Sequence, residues 1–470
     1  MERITTDLCV IGAGSGGLTV AAGAAQMGAR VVLVEGAEMG GDCLNSGCVP
    51  SKALLWAAHL AQAVRQGGPG VPGGAAVDFA AVNDHVAASI ARIAPHDSQD
   101  RFEGLGVRVI RHWGRFVSRD ELEVGPIRIR ARRFVIATGS HARIPAVNGI
   151  ETVPVLTNET IFALREAPRH LLVLGGGPIG LELAQAHRRL GCEVTVIEAA
   201  TCLAREDAAA AQLVLARLRA EGVTIHEQTA VSRITAEAGI TLHLTGGGII
   251  SGSHLLVATG RKPALDRLDL PAAGVAFGES GVTVGAGLRS TSNRRVFAIG
   301  DAVGQGQFTH LAAYHAGIVL RRTLFGLPAR MRTDHIPRVT FTDPELAQIG
   351  PTEAEARRAH GDGITILRAD YGHNDRALTG TDWQGFVTLV VRRGRVIGAT
   401  VVGAQAGEVI APLVLAVSAR LRVAALASMV LPYPTLSELG KRAASTYFSQ
   451  KLFDNPAVGG WVRLVQRVLP

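Results

Sequence analysis

Cys43 and Cys48 stand five positions apart in GGDCLNSGCVPSKALL (Gly40–Leu55), among glycines and just ahead of a run with helical spacing. Two thiols so placed can clip a metal ion, staple the chain, or cycle between dithiol and disulfide. A clip needs two further ligands at suitable spacing. The other cysteines, Cys9, Cys192 and Cys202, form no second pair, and His59 is the only nearby histidine. A staple suits oxidising surroundings, whereas Met1–Thr6 has no apolar signal core and five cysteines in 470 residues are no disulfide framework. A cytoplasmic protein is expected, and a catalytic dithiol fits the pair best. The helical run Ser51–Arg65 would put its positive end near Cys48 and favour a thiolate there. Lys52 adds a positive charge one turn inside. Gly40, Gly41 and Gly47 leave room for a flat cofactor.

Such a pair needs elements that bring a redox cofactor to it, and the chain contains two copies of one. Asp7–Gly36 reads DLCVIGAGSGGLTVAAGAAQMGARVVLVEG, and His170–Ala199 reads HLLVLGGGPIGLELAQAHRRLGCEVTVIEA. Each predicts an apolar strand, a glycine turn, an Ala-rich helix, a second strand and an acid. Gly12, Gly14 and Gly17 make the first G-x-G-x-x-G, and Gly175, Gly177 and Gly180 the second. Glu35 and Glu198 each follow the first glycine of their copy by 23 positions. The first glycine makes the tight turn, the second lets the backbone approach a pyrophosphate, and the third lets helix pack on strand. The helix N-terminus offers free N–H groups to the phosphates, and the acid accepts from a ribose diol. One such motif is weak evidence; two in the same context predict two bound dinucleotides. Were the second dinucleotide a nicotinamide one, Glu198 would favour NADH over NADPH, because a carboxylate there bonds a 2′-hydroxyl and repels a 2′-phosphate. Arg205, seven positions on, is near enough in sequence to meet a phosphate instead.

Three further segments fit this plan. RRFVIATGS carries Gly139, HLLVATGRKP carries Gly260, and RRVFAIGDAV ends on Gly300 and Asp301. Each reads as an apolar strand running into a glycine turn. Val77–Leu105 predicts a helical excursion, and the Gly- and Pro-rich Arg65–Ala76 a surface loop. The last 135 or so residues change character and predict an antiparallel sheet with helices on one face. The fold class is therefore α/β, two Rossmann-like dinucleotide-binding domains followed by an α+β domain. Hydrophobic residues make up 47% and aromatics 4%, which suits large packed cores better than a stacking surface for RNA. The net charge is +8 but lies in no basic block, so no nucleic-acid partner is expected. No apolar stretch is long enough to span a membrane.

GGDCLNSGCVPSK resembles the active-site signature of the FAD-dependent pyridine nucleotide–disulfide oxidoreductases. That family includes dihydrolipoamide dehydrogenase, glutathione reductase and mercuric reductase. The ordered glycine motifs extend the resemblance over nearly the whole chain. It implies an FAD domain from residues 1–148 and 271–334, an NAD(P) domain at 149–270 and a dimerisation domain at 335–470. It also implies a homodimer with active sites at the subunit interface. Cys43 matches the interchange thiol that meets substrate, and Cys48 the thiol against the flavin. Lys52 resembles the lysine near flavin N5, with Glu182 as its partner. Glu35 would hold the FAD ribose, and Asp301 the pyrophosphate–ribitol region. Phe308–Gly317 resembles the helix whose N-terminus faces the flavin. His310 and His315 lie on or near it, and most such histidines are structural. The implied reaction is a relay from NAD(P)H through FAD to a Cys43–Cys48 disulfide and on to an acceptor.

One departure bears on that acceptor. Disulfide-reducing members carry His-Pro and then a glutamate near the C-terminus, the histidine serving as acid–base. Here Tyr433 takes the histidine position, with Pro434 and Glu438 kept. Tyrosine titrates near 10 and histidine near about 6.5, so Tyr433 is a poor base at neutral pH. It can still donate a hydrogen bond or support a metal–thiolate complex. A tyrosine there resembles mercuric reductase, yet that enzyme's C-terminal cysteine pair is missing. The acceptor is then a thiol-bound metal ion, a disulfide or a quinone-type molecule, with no resident metal site. Two other readings are a dihydrolipoamide dehydrogenase whose acid–base has moved, and a flavoprotein redox sensor or electron-transfer partner. In the tail, Trp461, Leu464, Val465 and Val468 recur at helical spacing with Arg463 and Arg467 on another face. This predicts a helix packed on the dimerisation domain, with contact to a membrane surface as the weaker reading.

Overall fold

A computed structural model of the chain describes residues 2–469 apart from 75, 237–238 and 381–382. Residue 75 of the expected loop and residue 470 of the tail lie outside the described residues. Two compact units emerge. One comprises Met1–Ala200 and Val223–Met331, the other Thr201–Gly222 and Arg332–Pro470.

The first unit holds both dinucleotide motifs, each on its own sheet, the first mixed and the second all parallel. In the first sheet the strand order is Arg108–Ile110, Val31–Val34, Glu2–Ile11, Ile127–Ile136, Glu121–Val124 and Gly114–Phe116. Val296–Ala298, from the AIGD segment, also pairs with Ile127–Ile136. Val31–Val34 is buried along its length, as a strand covered on both faces requires. The second sheet orders Thr224–His226, Glu193–Ile197, His170–Leu174, His254–Val257 and Val155–Leu156, all parallel.

Both turns follow one construction. Gly12 N donates to Val34 O at 2.8 Å and Gly175 N to Ile197 O at 2.9 Å. Helices Ser15–Gln26 and Pro178–Arg189 follow. A Cβ on Gly17 would lie 1.9 Å from Gly12 O, and one on Gly180 2.0 Å from Gly175 O. Backbone cannot give way there, so the third glycine of each motif is dictated by helix–strand packing. The excursion is helical as expected, with helices Phe79–Ile93 and Gln99–Gly104.

In the second unit an antiparallel sheet orders Arg338–Thr340, Glu345–Ile349, Arg395–Gly403, Phe386–Arg392 and Thr365–Asp370. The central hairpin turns at Arg393 and Gly394, both with positive φ (51° and 73°), the geometry that matches the twist of two-residue hairpins. Leu389, Ala399 and Val401 sit at its core with Leu413, Leu439 and Ala443 from the helices. Residues 201–222 lie in the stretch assigned by sequence to the NAD(P) domain, yet they cluster with this unit. Their helix Ala208–Ala220 packs on strands Glu345–Ile349 and Arg395–Gly403. Arg338 pairs with Glu206 at 2.9 Å and donates to Arg205 O at 2.8 Å.

The chain closes with helices Glu438–Phe453 and Pro456–Val468. Within the single chain the last helix touches helix Glu438–Phe453, and none of its residues is buried. Asn455 has extended backbone and caps a new helix, so the tail does not continue the preceding one into the core. No helix among the described residues is long and apolar enough to cross a membrane.

Candidate active site

The redox segment is stitched to the first dinucleotide turn. Gly40 N donates to Ala13 O at 2.9 Å, and Gly14 and Gly40 form an isolated β-bridge. Gly41, with φ 59°, lies so close to Gly14 that a Cβ on it would sit 2.7 Å from Gly14 Cα. The first glycine turn and the loop that carries the thiols are thus one construction. Cys43 follows on the short helix Gly41–Asn45, and Cys48 is the first residue of helix Cys48–Gln66. Cys9, Cys192 and Cys202 are buried, as the apolar runs around Cys9 and Cys192 predict.

The two thiols are electrically unequal. The Cys48 thiol is lowered to about 6, chiefly by a hydrogen bond from Cys43, against the opposing effect of burial. The Thr309 hydroxyl, 3.4 Å from Cys48 Sγ, and the Lys52 ammonium also favour the thiolate. Cys43 is pushed well above the ordinary thiol range by the same bond and by burial. At neutral pH the reduced pair is therefore a Cys43 thiol donating to a Cys48 thiolate. The N-terminus of the Cys48 helix adds its positive end in the same direction. Lys52 Nζ donates to Glu182 Oε2 at 2.7 Å, and the Glu182 side chain is only 8% exposed. This partner fixes the lysine beside the thiolate. In the reduced protein, the Cys48-dependent rise in 240 nm absorbance should have its midpoint near pH 6, thiol below and thiolate above. Lys52→Met should move that midpoint up by about 1 pH; an unmoved midpoint would remove the lysine from the account.

The remaining cofactor-side residues converge through polar contacts. The strands after Gly139 and Gly260 pair antiparallel, with Lys262 opposite His141. Ser140 Oγ donates to Asp301 Oδ2 at 2.5 Å and accepts from Arg261 Nε at 2.8 Å. Arg261 also pairs with Asp42, next to Cys43, at 3.1 Å. Asn158 Nδ2 donates to Asp42 at 2.9 Å. Burial raises the Asp301 carboxyl, with Ser140 and Arg261 opposing. Gly300 N donates to His315 Nδ1 at 3.1 Å. Burial lowers His315 to about 4, so it is a neutral imidazole. His310 is exposed and stacks on Phe308 at 5.2 Å; its neighbour Thr309 is the residue of that helix that reaches the thiols.

The cradle fits a dinucleotide such as FAD. Added Cβ atoms at Gly139, Gly177 and Gly260 would meet nothing within 4 Å, and one at Gly14 only Gly41 Cα at 4.0 Å. The Thr138 hydroxyl, beside Gly139, is buried without a partner. Glu35 accepts from Ala13 N at 2.5 Å and Ala37 N at 2.7 Å. Glu198 accepts from Gly176 N at 2.7 Å and Ala200 N at 2.8 Å in the same arrangement. A cavity of about 580 Å³ is lined by Cys43 and Thr309 with Ser15, Gly40, Leu44 and Asp97. Cys48 does not line it. No group of three or more His, Cys, Asp or Glu among the described residues could hold a metal ion.

In the second unit Tyr433 is exposed, and its hydroxyl donates to Asp375 Oδ2 at 2.7 Å. Asp375 holds the phenol above its ordinary range of 10. Glu438 accepts from Thr435 N at 3.4 Å. Sequence reasoning missed Asp375, Thr309, Ser140 and Arg261.

The family model described as pyridine nucleotide-disulphide oxidoreductase matches residues 6–316, and the model for the corresponding dimerisation domain matches residues 336–444. A mercuric reductase from Streptomyces lividans is 35% identical over 458 residues, covering 94% of this chain and 96% of the relative. The Cu(II) complex of the HOCl-induced flavoprotein disulfide reductase RclA from Escherichia coli aligns with a TM-score of 0.85 at 28% identity. It covers 94% of this chain and 99% of its own. LpdA from Mycobacterium tuberculosis aligns with a TM-score of 0.86 at 26% identity, over 95% of this chain and 100% of its own. The chain belongs to the pyridine nucleotide-disulphide oxidoreductase family. It is an FAD-dependent oxidoreductase with a dimerisation domain, which supports a homodimer.

Proposed function

We propose that this protein uses NADH to reduce a thiol-bound soft metal ion through Cys43 and Cys48. The observation that carries the reading is the pairing of an unequal dithiol with a tyrosine where disulfide-reducing relatives place a histidine. Bound FAD would supply the two-electron carrier between a nicotinamide and the sulfurs. Gly12, Gly14, Gly17, Glu35, Gly139, Gly300 and Asp301 would hold it. Gly175, Gly177, Gly180, Glu198 and Gly260 would hold the nicotinamide dinucleotide.

The residues divide the work by charge. Cys48, held as an electron-rich thiolate by Cys43, Thr309 and Lys52, is suited to exchange electrons with a flavin bound on its side. Cys43 lines the cavity and keeps its proton until an acceptor arrives, so it is suited to meet substrate. Thiolate sulfur selects soft metal ions. A second reading, reduction of a disulfide, draws support from the exposed Asp375, whose contact with Tyr433 leaves a carboxylate able to orient an acid–base group.

Support for NADH comes from Glu198. Its two oxygens accept from backbone N–H groups at the strand end, and a carboxylate in that position of a dinucleotide fold repels a 2′-phosphate. The test is an acceptor panel with each nucleotide: Hg(II) with excess thiol, Cu(II), lipoamide, glutathione disulfide and a quinone. The expected result is metal-dependent NADH oxidation at least tenfold faster than disulfide-dependent oxidation. kcat/KM should favour NADH over NADPH by about tenfold or more, as one charge repulsion of about 1.4 kcal/mol or more implies. Fast lipoamide turnover with slow metal turnover would favour a dihydrolipoamide dehydrogenase instead. Slow turnover with every acceptor would favour an electron-transfer partner.

A further inference from the structure

The helix Pro456–Val468 begins after the dimerisation-domain match has ended at residue 444. Asn455 caps it by accepting from Ala457 N at 3.0 Å. At about 100° per residue, Val458, Trp461, Val462, Leu464, Val465 and Val468 fall within one half of its circumference. Arg463, Gln466 and Arg467 fall in the other half. Most of the apolar half is exposed in the single chain, with Val458 and Val465 partly covered: Trp461 is 65% and Val468 70% exposed, and nearby Phe453 is 84% exposed. A contiguous apolar face of this kind marks a surface that another apolar phase covers.

We propose that this helix lies in the plane of an anionic lipid surface, its apolar half among the acyl chains and Arg463 and Arg467 at the headgroups. Charge selects this occupant. Between Asn455 and Leu469 there are two arginines and no carboxylate. Arg463 and Arg467 lie across the helix from the apolar half, so they stay at the headgroups when that half is buried, and anionic headgroups supply the acid that the helix lacks. Geometry selects the orientation. A 13-residue helix is about 20 Å long, too short for a hydrocarbon core of about 30 Å, so it can lie in the interface but not span it. Tryptophan prefers the interfacial depth at which such a helix rests. A homodimer carries two copies of the helix, so weak single contacts reinforce each other.

The test uses the full-length, FAD-loaded protein and vesicles of phosphatidylcholine, alone or with an equal part of phosphatidylglycerol. Flotation should recover the protein with the anionic vesicles and at least about tenfold less with the neutral ones. Arg463→Ala and Arg467→Ala should each lower anionic binding by roughly fivefold, and Trp461→Glu should abolish it. NADH-driven turnover should be unchanged in all three. Equal recovery on both vesicles, or recovery on neither, would overturn the proposal. So would a wild type that stays off vesicles while Trp461→Glu converts a dimer to a monomer by light scattering, since that assigns the face to a second copy.

Discussion

Replacing Cys43 with serine is expected to lower acceptor-dependent NADH oxidation by about 10³-fold or more, the scale of losing a covalent nucleophile. A hydroxyl can neither close a disulfide with Cys48 nor bind a soft metal ion as a thiolate does. Bleaching of the bound FAD by NADH should survive, because Cys43 lies on the cavity and outside the dinucleotide cradles. Serine and alanine at this position should also part company in a second measurement. The main cause of the low Cys48 titration is the hydrogen bond that Cys43 donates. Serine keeps a donor, so in Cys43→Ser the Cys48 midpoint should stay well below the ordinary thiol value. Alanine removes the donor, so in Cys43→Ala the midpoint should climb back toward that value, leaving Thr309 and Lys52 to hold it partway. Turnover that persists in Cys43→Ser would place the exchange chemistry elsewhere. Identical Cys48 midpoints in the two variants would show that the thiols do not share a proton.

What the sequence revealed about this centre follows from what its residues must satisfy locally. A turn that brings helix N-terminus to phosphate admits only glycine where Gly17 meets Gly12 O, so the motif is visible in one chain. The same holds for Gly180 against Gly175 O. Cys43, Cys48 and Lys52 occupy one short segment, and their shared chemistry could be read from spacing. Thr309 could not, because it reaches Cys48 across 261 positions and threonine is a common first residue of a helix. The Asp301–Ser140–Arg261–Asp42 chain was half legible. Asp301 stood out beside a glycine, but a serine and an arginine after two matched turns announce nothing until the turns pair. Residues 201–222 were assigned to a domain by position along the chain, whereas packing of Ala208–Ala220 on the antiparallel sheet is a tertiary fact. The amphipathic tail was legible as a helix, and its exposure was not, since periodicity records which residues share a face and not what covers it.

Tyr433→His should convert part of the proposed metal-directed preference into disulfide turnover, raising lipoamide-dependent NADH oxidation by at least about tenfold. General acid–base catalysis contributes about 10²- to 10⁴-fold where a group titrates near the working pH. The wild-type phenol cannot contribute in that way, because Asp375 holds it protonated throughout the neutral range. An imidazole in its place would inherit Asp375 as an orienting partner. A carboxylate that accepts from one ring nitrogen raises the basicity of the other. Disulfide turnover in Tyr433→His should therefore acquire a pH dependence in the histidine range that the wild type lacks. Adding Asp375→Asn should weaken the gain and shift that dependence to lower pH, as loss of a neighbouring negative charge disfavours imidazolium. Tyr433→Phe gives the complementary result. It removes the hydroxyl but leaves Asp375 and the dithiol in place, so the Cys48 titration should be unchanged while metal turnover falls. If Tyr433→His left disulfide turnover at the wild-type level, with the fold intact and FAD bound, the tyrosine would not be what separates this chain from its disulfide-reducing relatives. The source of specificity would then have to lie in the cavity that Cys43 lines.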